Sequence, residues 1–306
     1  MTVLLLVPAL ILDAALGEPP WLWSRVPHPV VLMGRWLGWL DRPLNRGARR
    51  RAKGVLALFL TLIPVAAVSA LPWFLSYGWV IEVVGAAILL AQRSLIDHVG
   101  AVARGLRDGL GPGRAAVGLI VGRDPAILDE SGVARAAIES AAENFADGVI
   151  APAFWFAVGG LPGIALYKAI NTADSMIGHR TERFAEFGWA AARLDDLVNW
   201  IPARLAGALL CLTGGQSGAW RVMWTDARTH RSPNAGWPEA ALAAGLGIAL
   251  GGPRRYAGEG VVEAPYINAA GRHDLTPDDI DEACRLLWTA WAGLIFLAVI
   301  IAVLLA

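Results

Sequence analysis

Acidic side chains recur at helical spacing near the middle of this chain. Glu139, Glu143 and Asp147 are spaced i, i+4 and i+8, so one helix would carry all three on one face. Three stacked carboxylates repel one another unless cations lie between them. The helix would run directly into an apolar segment that starts at Val149, and ionisable groups at a membrane edge are candidates for function. The spacing therefore indicates either an exposed acidic face or a functional site.

Two further groups of polar residues follow along the chain. One has the spacing i, i+3, i+4 and i+7 of a single helical face: Lys168, Asn171, Thr172 and Ser175, with Asp174 beside them. The other places Asp195 and Asp196 within one helical turn of Asn199. Such oxygens could converge on one hard cation, because Mg²⁺ prefers carboxylate, amide and water ligands completed by substrate phosphates. Together the three groups indicate a metal–phosphate site.

The sequence lacks the motifs of several common enzyme classes. The sequence contains no Gly-rich nucleotide loop, no dinucleotide fingerprint, no zinc-protease motif and no serine-hydrolase motif. Cys211 and Cys284 fit neither a disulfide framework nor a zinc site, and we expect both to be small buried hydrophobes. Lys and Arg number 26, as do Asp and Glu, so no global charge attracts nucleic acid and we exclude that partner.

The elements that must position these residues are strongly apolar. Hydrophobic residues make up 56% of the 306 positions and charged residues only 17%, where about 25% is usual. A mean hydropathy of +0.50 excludes a disordered chain and argues against an ordinary soluble enzyme. The sequence predicts an all-α polytopic integral membrane protein with about 4–6 membrane-embedded helices, some short or re-entrant, plus cytoplasmic helical loops.

The pattern of apolar runs predicts where the chain meets the bilayer. The uncharged run at 286–306 matches one crossing, and a helical hairpin is expected at roughly 55–75 and 77–92, turning near Tyr77. The apolar start at 1–16 lacks a basic region and a cleavage site, so we expect it to be retained. Three shorter apolar stretches fit a marginal span, a re-entrant helix or a buried helix equally well: 149–166, 201–212 and 240–250.

Charge predicts the orientation. Six cations lie between 42 and 53, beside the first long span, and the positive-inside rule makes them a cytoplasmic anchor. Trp36 and Trp39 precede them, as in a helix that lies in the membrane interface. We predict a single membrane-embedded domain over 1–306 whose cytoplasmic regions are 17–53, 93–147, 168–200 and 216–285.

Motifs along nearly the whole chain resemble those of the CobD/CbiB family of cobalamin-biosynthesis proteins. The first are Leu12-Asp13, Gly17-Glu18-Pro19, Pro27-His28-Pro29-Val30 and Met33-Gly34-Arg35. The central ones are Glu139-Ser140, Glu143-Asn144, Asp147-Gly148, Tyr167-Lys168, Asn171-Thr172, Asp174-Ser175-Met176 and Phe187-Gly188. The last are Arg193-Leu194-Asp195-Asp196, Asn199, Pro202-Ala203-Arg204, His230, Ser232-Pro233-Asn234-Ala235-Gly236 and Pro238-Glu239-Ala240. One departure is His179-Arg180, where the family has an aromatic residue.

The resemblance implies adenosylcobinamide-phosphate synthase activity at the bacterial cytoplasmic (inner) membrane, with the active site facing the cytoplasm. Such proteins use ATP to join aminopropanol, or its O-phosphate, to a propionate side chain of adenosylcobyric acid. A carboxylate is a poor electrophile, so ATP would convert it to an acyl phosphate that the amine attacks. That chemistry requires Mg²⁺ and cations around the phosphates. The implied partners are the corrinoid, the amine, the lipid bilayer and other cobalamin-pathway enzymes.

The resemblance also implies roles for individual residues. The metal candidates are Glu143, Asp147, Asp174, Asp195 and Asp196. The catalytic candidates are Lys168, Asp174, Asp195, His28 and His230; the two histidines would either handle the amine proton or hold loops in place. The candidates for binding substrate or nucleotide are Glu139, Asn144, Asn171, Ser175, Arg193, Asn199, Arg204, Asn234 and Arg35. Among the cations, Lys168, Arg193 and Arg204 would pair with phosphate or carboxylate groups.

Two other functional classes stay open. An Asn-x-x-Asp motif on one helix and an Asp-Asp-x-x-Asn motif on another are also typical of membrane prenyltransferases, whose acidic motifs bind Mg²⁺–diphosphate. That interpretation does not explain the Pro-His-Pro and Ser-Pro-Asn-Ala-Gly segments. A transporter would favour long paired spans and internal repeats, which this sequence lacks.

Overall fold

A computed structural model describes residues 2–122, 124–179, 181–256, 260–262 and 264–305. Helices dominate it, which confirms the prediction of an all-α fold. In chain order they are α1 (Thr2–Leu16), α2 (Pro20–Trp23), α3 (Pro29–Leu44), α4 (Arg50–Ala70), α5 (Gly78–Leu89), α6 (Gln92–Asp108), α7 (Leu110–Val117), α8 (Glu130–Phe145), α9 (Ala151–Ile177), α10 (Trp189–Val198), α11 (Trp200–Gly214), α12 (Ala219–Asp226), α13 (Gly236–Leu246) and α14 (Pro277–Leu304). Short 3₁₀ turns lie at Leu71–Phe74, Pro125–Ile127 and Ala227–Thr229, and a π-helical segment lies at Ala146–Ile150.

Strands are few and short in the described residues. They are β1 (Leu250–Gly251), β2 (Arg254–Tyr256), β3 (Gly260–Val262) and β4 (Tyr266–Ile267). β1 pairs antiparallel with β4, and β2 pairs antiparallel with β3. The helix before them ends because Gly247 adopts a left-handed conformation with a φ of 64°, a usual helix C-terminus. The chain then becomes extended, so these strands add two small ribbons to a helical protein.

The chain divides into two compact units. The first comprises residues 1–91, 151–199 and 298–306, and the second comprises residues 92–150 and 200–297. Each unit is therefore assembled from segments that are distant in the sequence. The prediction of one membrane-embedded domain, and of the regions that face the cytoplasm, stays a prediction.

In the first unit, helices α3, α4, α9 and α10 pack around a small hydrophobic core. The buried side chains of this core are Leu37, Leu40, Ala57, Leu58, Ala173, Ile177, Phe187 and Ala191. Close approach at one point requires a glycine, because a Cβ at Gly54 would lie 1.9 Å from the carbonyl oxygen of Phe187. Any side chain at Gly54 would therefore force α4 away from the segment that precedes α10.

In the second unit, helices α6, α7, α8, α11, α12, α13 and the first half of α14 contribute to one hydrophobic core. Alanines form a large part of this core. The fully buried ones include Ala134, Ala137, Ala141 and Ala142 of α8 and Ala240, Ala241 and Ala243 of α13. Small side chains let helix backbones come close together, and this favours dense packing in an apolar environment. This packing surrounds the buried polar side chains of the two helices, Glu139, Ser140 and Glu239.

Four helical segments among the described residues are long and apolar enough to cross a membrane: Arg50–Phe74, Gly78–Asp108, Glu130–Ile177 and Pro277–Leu304. The bent pair Trp189–Val198 and Trp200–Gly214 would make a fifth. These numbers agree with the prediction of a polytopic membrane protein. The predicted break between two apolar helices near Tyr77 is confirmed, because one helical segment ends at Phe74 and α5 begins at Gly78. The predicted last span is longer than expected: α14 begins at Pro277, where the Asp279 carboxylate accepts a hydrogen bond from the Thr276 N–H at 2.7 Å.

The three short apolar stretches have different structures. Stretch 240–250 is not a span, because α13 is buried along 236–244 inside the second unit. Stretch 149–166 belongs to a long helical segment, Glu130–Ile177, with a break inside α9 where Gly160 has a φ of 59°. Stretch 201–212 lies in α11, one arm of the bent pair.

Candidate functional site

A polar pocket of about 380 Å³ lies in the second unit. Its lining combines carboxylates, an imidazole, a hydroxyl and an amide with apolar walls: Glu139, Ser140, Glu143, Asn144, His230 and Glu239, with Ile120, Val121, Gly122 and Ala136. Helix α8 supplies the first four polar side chains, α13 supplies the second buried glutamate, and the loop before α13 supplies the histidine. The structure thus brings together four of the predicted site residues: Glu139, Glu143, Asn144 and His230.

Hydrogen bonds to the backbone hold the α8 wall of this pocket. Glu139 Oε1 accepts a hydrogen bond from the N–H of Gly251 at 2.8 Å. Ser140 Oγ donates to the carbonyl of Ile120 at 2.7 Å, and Asn144 Nδ2 donates to the carbonyl of Ser140 at 2.9 Å. Because backbone groups are fixed by the helices and strands they belong to, these bonds set the side-chain orientations.

The third carboxylate of the predicted acidic stripe has a different local structure. Asp147 lies after the end of α8, in the π-helical segment Ala146–Ile150, and it is not among the described residues that line the pocket. A π-turn holds more residues than an α-turn, so it changes the direction in which the following side chains point. The α-helical spacing that predicted a common face therefore stops at Glu143.

The loop before α13 holds His230 in one orientation. The N–H of Ser232 donates to His230 Nδ1 at 3.0 Å, and the other ring nitrogen, Nε2, lies 3.6 Å from Glu239 Oε1. The Ser232 hydroxyl in turn accepts hydrogen bonds from the N–H groups of Asn234 and Ala235, each at 3.2 Å. The Ser-Pro-Asn-Ala-Gly motif therefore forms a tight loop whose bonds fix the imidazole ring.

Arg204 fixes the same loop from α11. Its guanidinium stacks on Trp200 at 4.4 Å and on Trp237 at 4.6 Å from the ring centroids. It donates hydrogen bonds to Asn234 Oδ1 at 3.1 Å and to the carbonyl of Pro233 at 3.4 Å. The predicted sites Arg204 and Asn234 are therefore brought together, in contacts that position the loop. A direct role of Arg204 toward a phosphate stays a prediction.

A second polar cluster lies in the first unit, centred on Asp195. Asn171 Nδ2 donates to Asp195 Oδ1 at 3.4 Å, and Asn199 Nδ2 donates to Asp195 Oδ2 at 3.0 Å. Tyr167, whose side chain is buried, donates its hydroxyl proton to Asn199 Oδ1 at 3.0 Å. That bond fixes the Asn199 amide, because the oxygen must face the tyrosine while the nitrogen faces the carboxylate. The structure thus joins the polar faces predicted for α9 and α10.

Two more carboxylates belong to this cluster. The charges of Asp174 and Asp196 act on each other and on Asp195, so all three lie within electrostatic range. Arg193 NH1 lies 3.8 Å from Asp196 Oδ2 in an exposed i, i+3 pair. The remaining predicted residues of α9 differ in exposure: Lys168 is half-buried and Ser175 is exposed. Of the two residues that depart from the family pattern, His179 and Arg180, the second lies outside the described residues.

The metal candidates do not form a preassembled multi-carboxylate site. In the part of the chain that the structure describes, no three His, Cys, Asp or Glu side chains are grouped so that they could hold a metal ion. Mg²⁺ does not need such a group, because it is usually bound through one or two carboxylates and completed by waters and substrate phosphates. A magnesium site at Asp195, with Asp174 and Asp196 in electrostatic range, therefore stays a prediction.

The N-terminal candidates lie elsewhere in the first unit. His28 precedes α3, and its Nδ1 accepts a hydrogen bond from the N–H of Val30 at 3.2 Å. Its Nε2 lies 3.0 Å from the carbonyl oxygen of Ile88, to which it donates. Both ring nitrogens are therefore engaged with the backbone, and this favours the loop-holding role over proton transfer. Arg35 is exposed on α3.

Glu239 and Tyr167 are two of the polar-cluster residues that received no role from the sequence. Glu239 is 3% exposed and faces His230, while Tyr167 orients the amide of Asn199. Both belong to motifs of the family resemblance. The signal that could have found Glu239 is physical: it is the only charged residue of a helix that is otherwise apolar, α13.

Comparison with known proteins identifies the family. The model of the CobD/Cbib protein family matches residues 6–287. The cobalamin biosynthesis protein CobD of Brucella anthropi is 50% identical over 319 aligned positions, which cover 97% of this chain and 96% of that protein. The CobD proteins of Rhizobium meliloti and Rhodobacter capsulatus are each 49% identical, over 96% and 98% of this chain and 94% and 97% of their own lengths. No solved structure matches the chain. The family match and these relatives confirm the resemblance seen in the motifs, and the chain belongs to the CobD/Cbib protein family.

Proposed function

We propose that this chain catalyses the ATP-dependent amide ligation of aminopropanol, or its O-phosphate, to a propionate side chain of adenosylcobyric acid. Membership of the CobD/Cbib family and the names of the relatives support a role in cobalamin biosynthesis. The membrane-spanning helices support a membrane enzyme.

The observation that carries the proposal is the polar cluster centred on Asp195. The Asp195 carboxylate lies between two amide donors, and two further carboxylates are within electrostatic range. Lys168 and Arg193 lie on the same two helices. This combination of groups supports binding of a cation together with phosphate groups. When bound, Mg²⁺ would neutralise charge on the transferred phosphoryl group. The protein residues would position ATP and the propionate so that the terminal phosphate passes to the carboxylate.

The location of the reaction is also proposed. ATP is a cytoplasmic substrate, and six cations at 42–53 beside the first span favour a cytoplasmic position for that segment. We therefore assign the active site to the cytoplasmic side of the bacterial inner membrane. Other enzymes of the pathway are the partners we expect there.

The test is to supply membranes that contain the protein with adenosylcobyric acid, ATP, Mg²⁺ and either amine, and to weigh the corrinoid. The proposal predicts a gain equal to the mass of the amine minus one water, and no gain when ATP or the amine is omitted. An unchanged corrinoid contradicts it. Release of diphosphate from a prenyl donor would favour a prenyltransferase instead, and flux across sealed vesicles without ATP consumption would favour a transporter.

A further inference from the structure

The first unit contains a cavity of about 520 Å³ whose lining differs from that of the polar pocket in the second unit. Helices α3, α4, α5 and α9 form its walls. The lining includes Leu32 and Met33 of α3, Val65 of α4, Ile88 of α5 and Leu161 of α9. Among the described residues that line this cavity, none carries a charge. A ligand there must therefore be held by apolar contacts.

The two hydroxyl groups of the lining are turned toward their own helix. Thr61 Oγ1 donates a hydrogen bond to the carbonyl of Ala57 at 2.9 Å, and Ser69 Oγ donates to the carbonyl of Val65 at 2.6 Å. A hydroxyl group has one proton, so neither side chain has a donor left for a ligand. These two residues therefore do not make the cavity a polar site.

The indole of Trp36 is held in the cavity wall by a proline on the neighbouring helix. Pro64 has no N–H, so the carbonyl of Leu60, four residues earlier in α4, lacks its helical partner. Trp36 Nε1 donates to that carbonyl at 3.2 Å, and this bond ties α3 to α4. Elsewhere in the wall α5 and α9 are in close contact, because a Cβ at Gly85 would lie 2.8 Å from Leu161 Cδ1. Both contacts define the shape of the cavity.

The cavity opens onto a surface that the bilayer covers. Leu32, Val68 and Ile81 belong to the lining and are also exposed. Helices α4 and α5 lie in segments that are long and apolar enough to cross a membrane, and they carry further exposed apolar side chains, among them Phe59 and Val80. The material at such an opening is lipid hydrocarbon, because the interior of a bilayer holds no water.

We propose that this cavity binds one acyl chain of a membrane phospholipid. Its volume is within the range of about 300–1,000 Å³ that is usual for ligand sites. Water is a poor occupant, because a buried water needs about three polar partners. A nucleotide or an amide-bearing corrinoid would bury polar groups without partners. A bound chain would contact four helices at once and so stabilise their packing. This inference goes beyond the proposed ligation and does not depend on it.

A photoreactive phospholipid tests the site in membranes that contain the full-length protein. The probe is a phosphatidylethanolamine with a diazirine on one acyl chain, added in increasing amounts, and mass spectrometry identifies the labelled residues. We expect labelling of the lining residues Val65 and Leu161 to saturate at a low fraction of probe. Labelling of Phe59, which is exposed and outside the lining, should rise in proportion to the probe.

Filling the cavity should abolish the saturable labelling. We expect Val65→Trp to lower it at least about tenfold, because overpacking an occupied site costs more than the roughly 1.4 kcal/mol that corresponds to this factor. The matched control is Val84→Trp, at an exposed valine of α5 outside the lining, which should keep the labelling within about twofold. Added phosphatidylethanolamine should raise the unfolding temperature of the delipidated protein in detergent and leave that of Val65→Trp unchanged.

Every outcome supports the acyl-chain site or overturns it. Saturable labelling that Val65→Trp removes and Val84→Trp keeps supports it. Labelling of Val65 and Phe59 in constant proportion at all amounts of probe would show only the lipid that surrounds any membrane protein, and would overturn it. Displacement of the probe by a polyprenol or by adenosylcobyric acid, where unlabelled phosphatidylethanolamine has no effect, would assign the cavity to another ligand and also overturn it. If Val65→Trp does not fold, Val68→Trp at the exposed edge of the cavity must lower the saturable labelling, or the inference fails.

Discussion

Replacement of Asp195 by Asn tests the cluster that carries the proposed function. The substitution removes one negative charge and keeps the size of the side chain, so it creates no cavity. Asp195 accepts hydrogen bonds from Asn171 at 3.4 Å and from Asn199 at 3.0 Å. An Asn at this position can accept one of them through its oxygen, but its amide nitrogen would meet the second donor.

The two expected effects differ in size. A hydrogen bond to a charged group contributes about 1.5–3 kcal/mol, and one of the two acceptors is kept, so we expect the free energy of unfolding to fall by about 1–2 kcal/mol. Loss of an electrostatic contact to the transferring phosphate should raise the barrier by about 3–4 kcal/mol, which lowers the rate roughly 150- to 900-fold. The activity loss should therefore far exceed the loss of stability.

The assay compares product formation at saturating ATP and Mg²⁺ with thermal unfolding of the purified protein in detergent. The control is Asp97→Asn, which removes a carboxylate from an exposed i, i+4 pair with Arg93 and should leave both measurements nearly unchanged. Turnover of Asp195→Asn within about threefold of the unaltered protein would refute the catalytic interpretation, since the expected barrier change is far larger. Loss of folded protein in proportion to activity would show that Asp195 is structural.

Three further predictions concern topology and packing. Cysteines introduced at positions 49 and 76, in a background without Cys211 and Cys284, should label from opposite sides of sealed cells. The reason is the positive-inside rule, by which the cations at 42–53 predict a cytoplasmic position 49; labelling from one side would contradict this topology. Gly54→Ala should destabilise the protein in detergent by about 1–3 kcal/mol, because its Cβ would overlap the Phe187 carbonyl. The control Gly111→Ala should have little effect, because the space around Gly111 is open. Equal unfolding temperatures of the two variants would show that α4 shifts freely. His28→Ala should lower the unfolding temperature and leave KM and kcat of the remaining folded protein unchanged, because both ring nitrogens bond to the backbone. His28→Asn should restore part of the lost stability by capping α3. A selective fall in kcat would show that His28 has a chemical role.

Much of the fold follows from hydropathy. The helix break around Tyr77 was predictable because an uncharged run too long for one span must be interrupted, and the turn residues mark the place. Stretch 240–250 was ambiguous, because a helix buried in protein and a helix buried in lipid need the same apolar side chains. Only the packing of α13 against its neighbours distinguishes them. The ribbon of β1 and β4 has Gly251 and Gly252 in left-handed conformations, with φ of 70° and 80°, and hydropathy does not predict such a feature.

The candidate site was predictable to the extent that helical periodicity continues. Asn171 was predicted in one polar group, and Asp195 and Asn199 in the next. Hydrogen bonds join the two groups in the structure, because α9 and α10 are regular helices on either side of the contact. Asp147 was placed with Glu143 on the assumption of an unbroken α-helix, and the π-helical segment changes its direction. The contact between His230 and Glu239 depends on how a loop folds back on a helix, and such a contact has no periodic signature.

Ligation through an activated carboxylate is tested most directly by an isotope experiment. Purified protein is supplied with adenosylcobyric acid that carries ¹⁸O in both oxygens of the reacting propionate, together with ATP, Mg²⁺ and aminopropanol phosphate. Ligation through an acyl phosphate predicts a corrinoid amide that retains one ¹⁸O and inorganic phosphate that carries the other. An unchanged corrinoid, or an amide formed with no ¹⁸O in the phosphate, would contradict it.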